Sequence, residues 1–309
     1  MKPIRDLDDL PDRLRFGAVA IGNFDGVHLG HAEIIRRLCV EARQIGGPAV
    51  VFTFDPHPAA VLHPTKPPLP LTTLGRKTQL LADLGADAII AYSTDLEMLK
   101  LSPRDFFERV VVGRLRARAL VEGQSFTFGR NREGDIRVLA DLCREKGIAL
   151  AVPEPVQVDG QPVSSSRIRA ELLRGRVELC RRLLARPHRV GGRVIRGAGR
   201  GRQLGYPTAN LGGADTLLPG DGIYAGLAQV DDRAWPAAIS VGPNLTFGDG
   251  TRKVEVHLIG FDGGLYDRQL EVDFLARLRD VQRFGSVEEL VDQLDRDIDR
   301  ARTIVAQAA

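Results

Sequence analysis

Two histidines near the start of the chain have the type and spacing of groups that stabilise a phosphate. His28 and His31 lie three positions apart, so on a helix both side chains lie on one face. A helix N-terminus offers unpaired N–H groups and a positive dipole end, and imidazoles there can donate hydrogen bonds to charge that builds on a phosphate. The pattern predicts a phosphate site. Its candidate phosphate-binding residues are Gly22, Asn23, Phe24, Asp25 and Gly30.

Two other interpretations of the histidine pair stay open. The pair could ligate a metal ion, although the sequence has no His-Glu-x-x-His segment and no cysteine cluster to supply further ligands. The pair could also cap a helix or lie on its surface without any chemical role. The density of Gly, Asp and His around the pair favours the phosphate site over both.

Short apolar runs alternate with helical patterns through the first part of the chain. The run 18–21 predicts a buried strand before the histidines, and apolar residues at helical spacing follow from 32 to 40. Further strands are predicted at 49–54, 87–92, 117–121 and 148–152, and further helices at 73–85, after Ser102 and at 135–146. Prolines at 64, 67, 68 and 70 exclude regular structure between 55 and 70. The alternation predicts an α/β fold with a parallel sheet, whose ligands bind at the carboxyl ends of the strands.

The pattern changes near Arg186-Pro187, where we place the boundary between domains 1–186 and 187–309. Before it, Ser164, Ser165 and Arg167 at a predicted helix start either bind a second phosphate or cap the helix. After it, candidate strands at 193–195, 222–230, 235–241, 253–261 and 270–276 predict a small antiparallel barrel or sandwich. A capping box at 286–289 predicts a final helix.

A second glycine-rich stretch, 197–210, has the flexibility that a flap over a ligand needs. It lacks the third glycine of a dinucleotide-binding fingerprint, and no Walker A sequence occurs in the chain. Thr208 and Asn210 lie two positions apart, so in extended chain both face one side and offer the hard oxygen ligands that Mg²⁺ prefers. Taken alone, such a pair is more often part of a turn.

Composition limits the classes of protein to consider. A chain of 309 residues favours two domains, and its net charge of +3 requires no polyanionic partner. Three widely spaced cysteines fit neither a disulfide framework nor a zinc site and indicate a reducing cytoplasm. No apolar run approaches membrane-spanning length, which predicts no membrane partner. Twelve arginines against two glutamates between 167 and 202 could contact RNA, but no interleaved aromatic residue is present to stack bases.

The first motif resembles the G-x-F-D-G-V-H-x-G-H signature of the HIGH-superfamily nucleotidyltransferases, in which His-x-x-His holds ATP phosphates. The segments 52–58, 126–129, 134–135 and 164–169 are similar to further motifs of its FMN adenylyltransferases. The segments 201–210 and 254–258 resemble the riboflavin kinase module. The order of the two parts is that of the bacterial bifunctional riboflavin kinase/FMN adenylyltransferases, also called FAD synthetases. The chain departs from the family's usual pattern at Ser125, Ser166, Leu245, Gly260 and Val281.

The resemblance implies a Rossmann-like nucleotidyltransferase domain, then a small barrel kinase domain with a C-terminal helix. It implies that the chain phosphorylates riboflavin to FMN and adenylylates FMN to FAD and pyrophosphate. Its implied partners are riboflavin, FMN, FAD and ATP, with Mg²⁺ as cofactor; self-association is left open. The alternatives are a related nucleotidyltransferase with an impaired kinase module and an RNA-binding protein.

The resemblance also implies roles for single residues. His28 and His31 act in adenylyl transfer, and Glu255 is the general base of the kinase. Strand alternation places Glu255 and His257 on the face opposite Val254, Val256 and Leu258, which is consistent with that role. The implied metal ligands are Thr208 and Asn210. The implied flavin-binding residues of the adenylyltransferase are Asp55, Pro56, Phe126 and Phe128, and the implied ATP and flap residues of the kinase are Gly197, Gly199, Gly201, Arg202, Gly205, Tyr206 and Pro207.

Overall fold

The computed structural model describes residues 1–65, 67–197, 199–244 and 249–308. Contacts divide the chain into two compact units, Met1–Pro68 with Thr72–Ser164, and Leu69–Leu71 with Ser165–Ala309. The boundary predicted at Arg186-Pro187 lies later in the chain than this division. The segment between the two positions therefore packs with the second unit.

A five-stranded parallel sheet forms the centre of the first unit, in the order β3-β2-β1-β4-β5. Its strands are β1 (Ala18–Ile21), β2 (Ala49–Phe54), β3 (Ala88–Tyr92), β4 (Ala119–Val121) and β5 (Ala149–Ala151). The helices are α1 (Leu29–Ile45), α2 (Pro58–Leu62), α3 (Leu74–Asp83), α4 (Leu96–Lys100), α5 (Pro103–Phe106) and α6 (Ile136–Lys146), with a π-helix at Phe107–Leu115 and 3-10 turns at Asp12–Leu14 and Arg130–Arg132. A small hairpin follows, β6 (Gln157–Val158) and β7 (Gln161–Pro162).

Alternate residues of each strand pack on opposite faces of the sheet. Val19 lies in a core cluster with Phe107 of the π-helix, whereas Ala20 lies in another with Leu38 of α1. This confirms the prediction of a parallel sheet covered by helices on both faces.

The proline-rich segment contains one element that we did not expect. The helix α2 begins at Pro58, and its N-cap His57 accepts a hydrogen bond from the N–H of Ala59. The prediction that this segment has no regular structure was therefore wrong here. Proline fits the first position of a helix because its ring fixes a helical φ and its missing N–H has no partner there anyway.

The second unit is a closed six-stranded antiparallel barrel in the order β10-β11-β12-β9-β8-β13, preceded by two helices. The helices before it are α7 (Ser165–Leu173) and α8 (Val177–Leu184). The strands are β8 (His188–Ile195), β9 (Ala209–Gly212), β10 (Gly222–Val230), β11 (Arg233–Asn244), β12 (Asp249–Leu258) and β13 (Gln269–Arg279), with the helices α9 (Arg200–Gln203) and α10 (Val287–Ala308).

The barrel confirms the predicted all-β half, with one added strand. The strand β9 was not predicted, because it begins inside the glycine-rich stretch and its state depends on pairing with β8 and β12. The capping box of α10 forms: Ser286 Oγ accepts from the N–H of Glu289, whose carboxylate accepts from the N–H of Gly285. Ile298 of α10 lies in a core cluster that includes barrel residues.

Candidate active sites

The turn between β1 and α1 brings the two histidines together at a helix N-terminus. His28 is the N-cap of α1, and its Nδ1 accepts a hydrogen bond from the N–H of His31 at 3.3 Å. The two rings stack with centroids 3.6 Å apart. Because Nδ1 accepts, the proton of the neutral His28 ring lies on Nε2, which becomes a donor. The capping interpretation is thus correct for His28, and capping fixes the tautomer that phosphate contact needs.

Neighbouring residues hold this stacked pair in place. A Cβ at Gly30 would lie 3.2 Å from Cε1 of His28, so a larger residue would press on the ring. Phe24 is buried and packs edge-on against His31 with centroids 5.2 Å apart. The Phe24 ring therefore orients His31. Gly22 lies beside the same ring, since a Cβ there would be 3.3 Å from Phe24 Cε2.

The backbone of this turn is strained and is held from outside. Phe24 and Val27 have φ values of 45° and 37°, a region that costs non-glycine residues about 1–3 kcal/mol each. Thr72 compensates by bonding twice: its Oγ1 accepts from the N–H of Gly26 at 2.8 Å, and its N–H donates to Asp25 at 3.3 Å. Asp25 is buried in this arrangement, so its carboxylate shapes the turn.

Two polar groups, the amide oxygen of Asn23 and the carboxyl of Glu122, lie buried at the same edge of the sheet. Oδ1 of Asn23 is buried without a hydrogen-bond partner among the described residues. The carboxyl of Glu122, directly after β4, is 2% exposed and accepts from the N–H of Ile21 at 2.7 Å. Burial raises the pKa of Glu122 well above its ordinary value. The contact of Glu122 with β1 could not be predicted from the sequence, because Ile21 lies 101 positions away.

The proposed flavin-binding residues of the first unit follow β2 and β4, at the same sheet edge. Asp55 directly follows β2, and its carboxylate pairs with Arg5 at 2.6 Å. The Asp55-Pro56 peptide bond is cis. Phe126 and Phe128 stack with centroids 5.5 Å apart; Phe128 is buried and Phe126 is partly exposed.

The serine-rich segment spans the division between the two units. Ser164 is the last residue of the first unit, whereas Ser165 and Arg167 lie in the first turn of α7 in the second. Their predicted role in binding a phosphate stays a prediction.

The second site is a cleft in the barrel unit. Glu255 on β12 pairs directly with Asn210 on β9, so the two side chains share a face, and Thr208 joins them in the lining. Val254, Val256 and Leu258 are buried, whereas Glu255 and His257 are partly exposed. The predicted alternation along this strand is confirmed.

The glycine-rich stretch forms one wall of this cleft. Gly199, Gly201 and Tyr206 line it, Gly205 and Pro207 line a second pocket that shares Tyr206 and His257 with it, and Arg202 is exposed. Tyr206 donates to Asp295 of α10 at 2.7 Å, and a ring nitrogen of His257 lies 2.9 Å from the Pro207 carbonyl. The far end of the stretch is thus anchored to α10 and β12. Gly197 lies so near the Asn210 amide that a Cβ there would collide with it, and Ala198 lies outside the described residues.

The opposite wall of the cleft includes a buried ion pair that sequence reasoning did not find. Arg279 of β13 contacts Asp297 of α10 at 2.7 Å, and the two side chains are 16% and 1% exposed. Both residues line the cleft. No local signal joins them, because they belong to different elements.

Comparison with known proteins covers both units. The FAD synthetase family model matches residues 11–167, and the riboflavin kinase family model matches residues 184–305. A bifunctional riboflavin kinase/FMN adenylyltransferase from Pseudomonas fluorescens is 36% identical over 100% of this chain and 99% of its own length.

The chain belongs to the bifunctional riboflavin kinase/FMN adenylyltransferase family.

Further relatives of the same description support the assignment. One from Escherichia coli is 33% identical, covering 96% of both chains, and one from Bacillus subtilis is 32% identical, covering 90% of this chain and 89% of its own. A solved structure described as a macrolide-efflux protein from Streptococcus pneumoniae has a TM-score of 0.86 and 31% identity, covering 97% of this chain and 98% of its own. The chain therefore phosphorylates riboflavin to FMN and adenylylates FMN to FAD.

The rival interpretations find little support in the structure. Within the described ranges, no group of three or more His, Cys, Asp or Glu side chains could hold a metal ion. At least four arginines of the arginine-rich segment pair with carboxylates: Arg174 and Arg176 with Glu171, Arg189 with Asp273, and Arg193 with Asp267. Ion pairing therefore accounts for part of this charge without RNA. None of the described helices is both long enough and apolar enough to cross a membrane.

Proposed function

We propose that the two reactions use separate sites, with adenylyl transfer at the β1–α1 turn and phosphoryl transfer in the barrel cleft. The stacked pair of His28 and His31 at the N-terminus of α1 carries the first assignment. The pairing of Glu255 with Asn210 across β12 and β9, inside a cleft, carries the second.

In adenylyl transfer, a phosphate oxygen of FMN attacks the α-phosphorus of ATP, and the bond to the β-phosphate oxygen breaks to release pyrophosphate. Negative charge builds on the phosphate oxygens as this happens. The N–H donor at Nε2 of His28, the imidazole of His31 and the N-terminus of α1 stabilise that charge. No covalent adenylyl-enzyme is formed in this scheme.

The remaining residues at this site bind and orient the substrates. Asn23 supplies a buried acceptor that a bound nucleotide can satisfy, and Asp25 and Gly30 shape the turn. The residues proposed to contact FMN are Asp55, Pro56, Phe126 and Phe128, and those proposed to contact ATP phosphates are Ser164, Ser165 and Arg167.

In phosphoryl transfer, the carboxylate of Glu255 takes the proton of the riboflavin 5′-hydroxyl as its oxygen attacks the γ-phosphorus of ATP. The bond from the γ-phosphorus to the bridging oxygen breaks, and ADP leaves. The wall formed by Gly199, Gly201 and Tyr206 encloses the triphosphate, because its glycines admit close approach of the backbone.

The cleft also suits a magnesium ion. Thr208 and Asn210 offer a hydroxyl and an amide oxygen, which are hard ligands, and phosphate oxygens complete such a site. Gly197 leaves the Asn210 amide room that a Cβ would fill. When bound, the ion neutralises charge on the transferring phosphoryl group.

The redox state of the cysteines supports a cytoplasmic location. Cys39, Cys143 and Cys180 are all free thiols. Burial raises the pKa of Cys143 to about 11 and that of Cys180 to about 12, so both thiols stay protonated and unreactive at neutral pH.

Single substitutions test the adenylyltransferase site. His28→Ala and His31→Ala should each lower conversion of FMN to FAD by about 10²–10³, the usual loss for one preorganised donor. Conversion of riboflavin to FMN should stay unchanged in the same protein. His63→Ala, at an exposed position, is the matched control. Equal loss of both activities in the two histidine variants would instead indicate a structural role.

Glu255→Gln tests the kinase site. Loss of positioned proton transfer should lower FMN formation by about 10²–10⁴, while conversion of added FMN to FAD survives. Glu271→Gln, at an exposed position of β13, is the control. A Glu255→Gln enzyme that phosphorylates riboflavin within about twofold of the normal rate rules out the general-base role.

A further inference from the structure

Lys77 is a buried lysine with no place in the site described so far. It lies in the first half of α3 and is 8% exposed. Among the described residues, no other lysine is buried. Removing an ammonium group from water costs several kcal/mol even after the protein relaxes. A lysine at such a position therefore requires a compensating role.

The ammonium of Lys77 contacts the turn that carries the histidines. Its Nζ donates to the carbonyl oxygen of Asn23 at 2.8 Å, although 54 positions separate the two residues. Thr53 Oγ1 donates to the same carbonyl at 3.1 Å, from a fully buried position on β2. One carbonyl thus accepts two buried donors, which fixes the plane of the Asn23–Phe24 peptide.

That peptide is where the turn most needs support. It precedes Phe24, which has φ of 45° and whose ring packs against His31. A rotation at Asn23–Phe24 would therefore move the ring that orients the histidine. Thr72, just before α3, holds the next two residues of the turn. The segment from Thr72 to Lys77 thus supports the strained backbone at successive points.

The hydrogen bond to the Asn23 carbonyl does not require a charged donor. Thr53 already provides a neutral donor to the carbonyl. Burial lowers the pKa of Lys77, and the carboxylates of Asp25 and Asp55 oppose that effect by favouring the charged form. A buried cation directly behind a turn at a helix N-terminus strengthens the positive potential there, which favours a polyphosphate.

We propose that Lys77 is a positioning residue for adenylyl transfer, which holds the Asn23–Phe24 peptide and adds positive potential behind the ATP phosphates. The inference rests on the proposed site at His28 and His31. Lys77 acts on the reaction through the turn, and its two contributions affect different kinetic parameters. Charge affects the KM for ATP, whereas the position of the peptide affects kcat.

Three variants of the full-length protein separate these contributions, with FMN to FAD conversion measured over a range of ATP concentrations. Lys77→Met should raise the KM for ATP at least tenfold and also lower kcat. Lys77→Arg, which keeps the charge, should restore the KM to within about threefold while kcat stays reduced. Thr53→Val, which removes the neutral donor, should lower kcat less than tenfold and leave the KM unchanged.

The same protein supplies the controls. Riboflavin phosphorylation should be unchanged in all three variants, and Lys100→Met, at an exposed lysine, should change neither activity. If Lys77→Met fails to fold, the comparison of Lys77→Arg with Thr53→Val still tests the inference. A Lys77→Arg enzyme with the KM for ATP raised more than tenfold overturns the inference.

Two further outcomes distinguish a failure of this inference from a failure of the proposed site. If Lys77→Met converts FMN to FAD within about threefold of the normal efficiency while His28→Ala is impaired, Lys77 has no such role and the proposed site stands. If His28→Ala is itself unimpaired, the proposed site is wrong, and the inference falls with it.

Discussion

The helix α8 makes part of the barrel unit's core, so a kinase fragment that starts at Pro187 should be much less stable than one that starts at Ser165. Val177, Cys180 and Leu183 on α8 are fully buried, and the helix packs against β13 and β8. Glu178 Oε1 also accepts from the backbone N–H of Arg277 on β13 at 2.8 Å. Truncation at Pro187 removes all of these contacts at once.

The size of the loss follows from what α8 buries. Three fully or almost fully buried aliphatic side chains, Val177, Leu183 and Leu184, contribute about 1.5–3 kcal/mol each on burial. The amide of Arg277, left without its carboxylate partner, costs about 1–3 kcal/mol more. Ordering entropy of the eight-residue helix offsets part of this. A net loss of even about 2 kcal/mol would be a sizeable part of a usual domain stability of about 5–15 kcal/mol.

Fragments 165–309 and 187–309 allow a direct comparison. Urea unfolding can be followed by the fluorescence of Trp235, the single tryptophan, which lies on β11. Both fragments lack Leu69–Leu71, including the Pro70 carbonyl that accepts from the N–H of Leu217. The loss of this hydrogen bond therefore lowers the stability of both fragments equally. Fragment 165–309 should unfold cooperatively and convert riboflavin to FMN without forming FAD. Unfolding free energies of the two fragments within about 1 kcal/mol of each other would refute the reasoning.

Two further predictions concern buried carboxyl groups. Between the ordinary carboxyl pKa of 4.5 and the raised pKa of Glu122, the folded protein holds a proton on this group that the unfolded chain has lost. The stability of the folded protein therefore falls as pH rises through that window. Glu122→Gln should remove this pH dependence. Calorimetric Tm values of the first unit from pH 5 to 9 should decline for the unmutated protein and stay flat for the variant; parallel curves would contradict this. Asp297→Asn should destabilise the barrel unit by up to about 3–5 kcal/mol, because it removes the buried negative charge that pairs with Arg279. Trp235 fluorescence in urea measures the loss, and an unchanged midpoint would show that the pair contributes nothing.

Local patterns along the chain were enough to predict much of the fold. The capping box at Ser286 forms as expected, and Ser102 caps the helix predicted to follow it, because each depends on residues within one helical turn. The parallel sheet follows from short apolar runs separated by helices. The exposed face of Glu255 follows from strict alternation along one strand.

Where the prediction failed, the deciding contacts come from elsewhere in the chain. The short strand β9 exists because β8 and β12 supply its hydrogen-bond partners on both sides. The helix α2 is an exception, because its cause is local: Pro56 precedes the helix, Pro58 lies at its first position, and the other prolines of the segment follow its end.

By itself, the sequence determined which residues could do chemistry: the histidine pair, the Thr208–Asn210 pair and Glu255, each recognisable within a few positions. Only the tertiary structure decided what supports them. Lys77 reaches Asn23 and Arg279 reaches Asp297 across long separations in sequence. Side chains that are distant in the chain come into contact only when packing brings their elements together. No local periodicity in the sequence predicts such a contact.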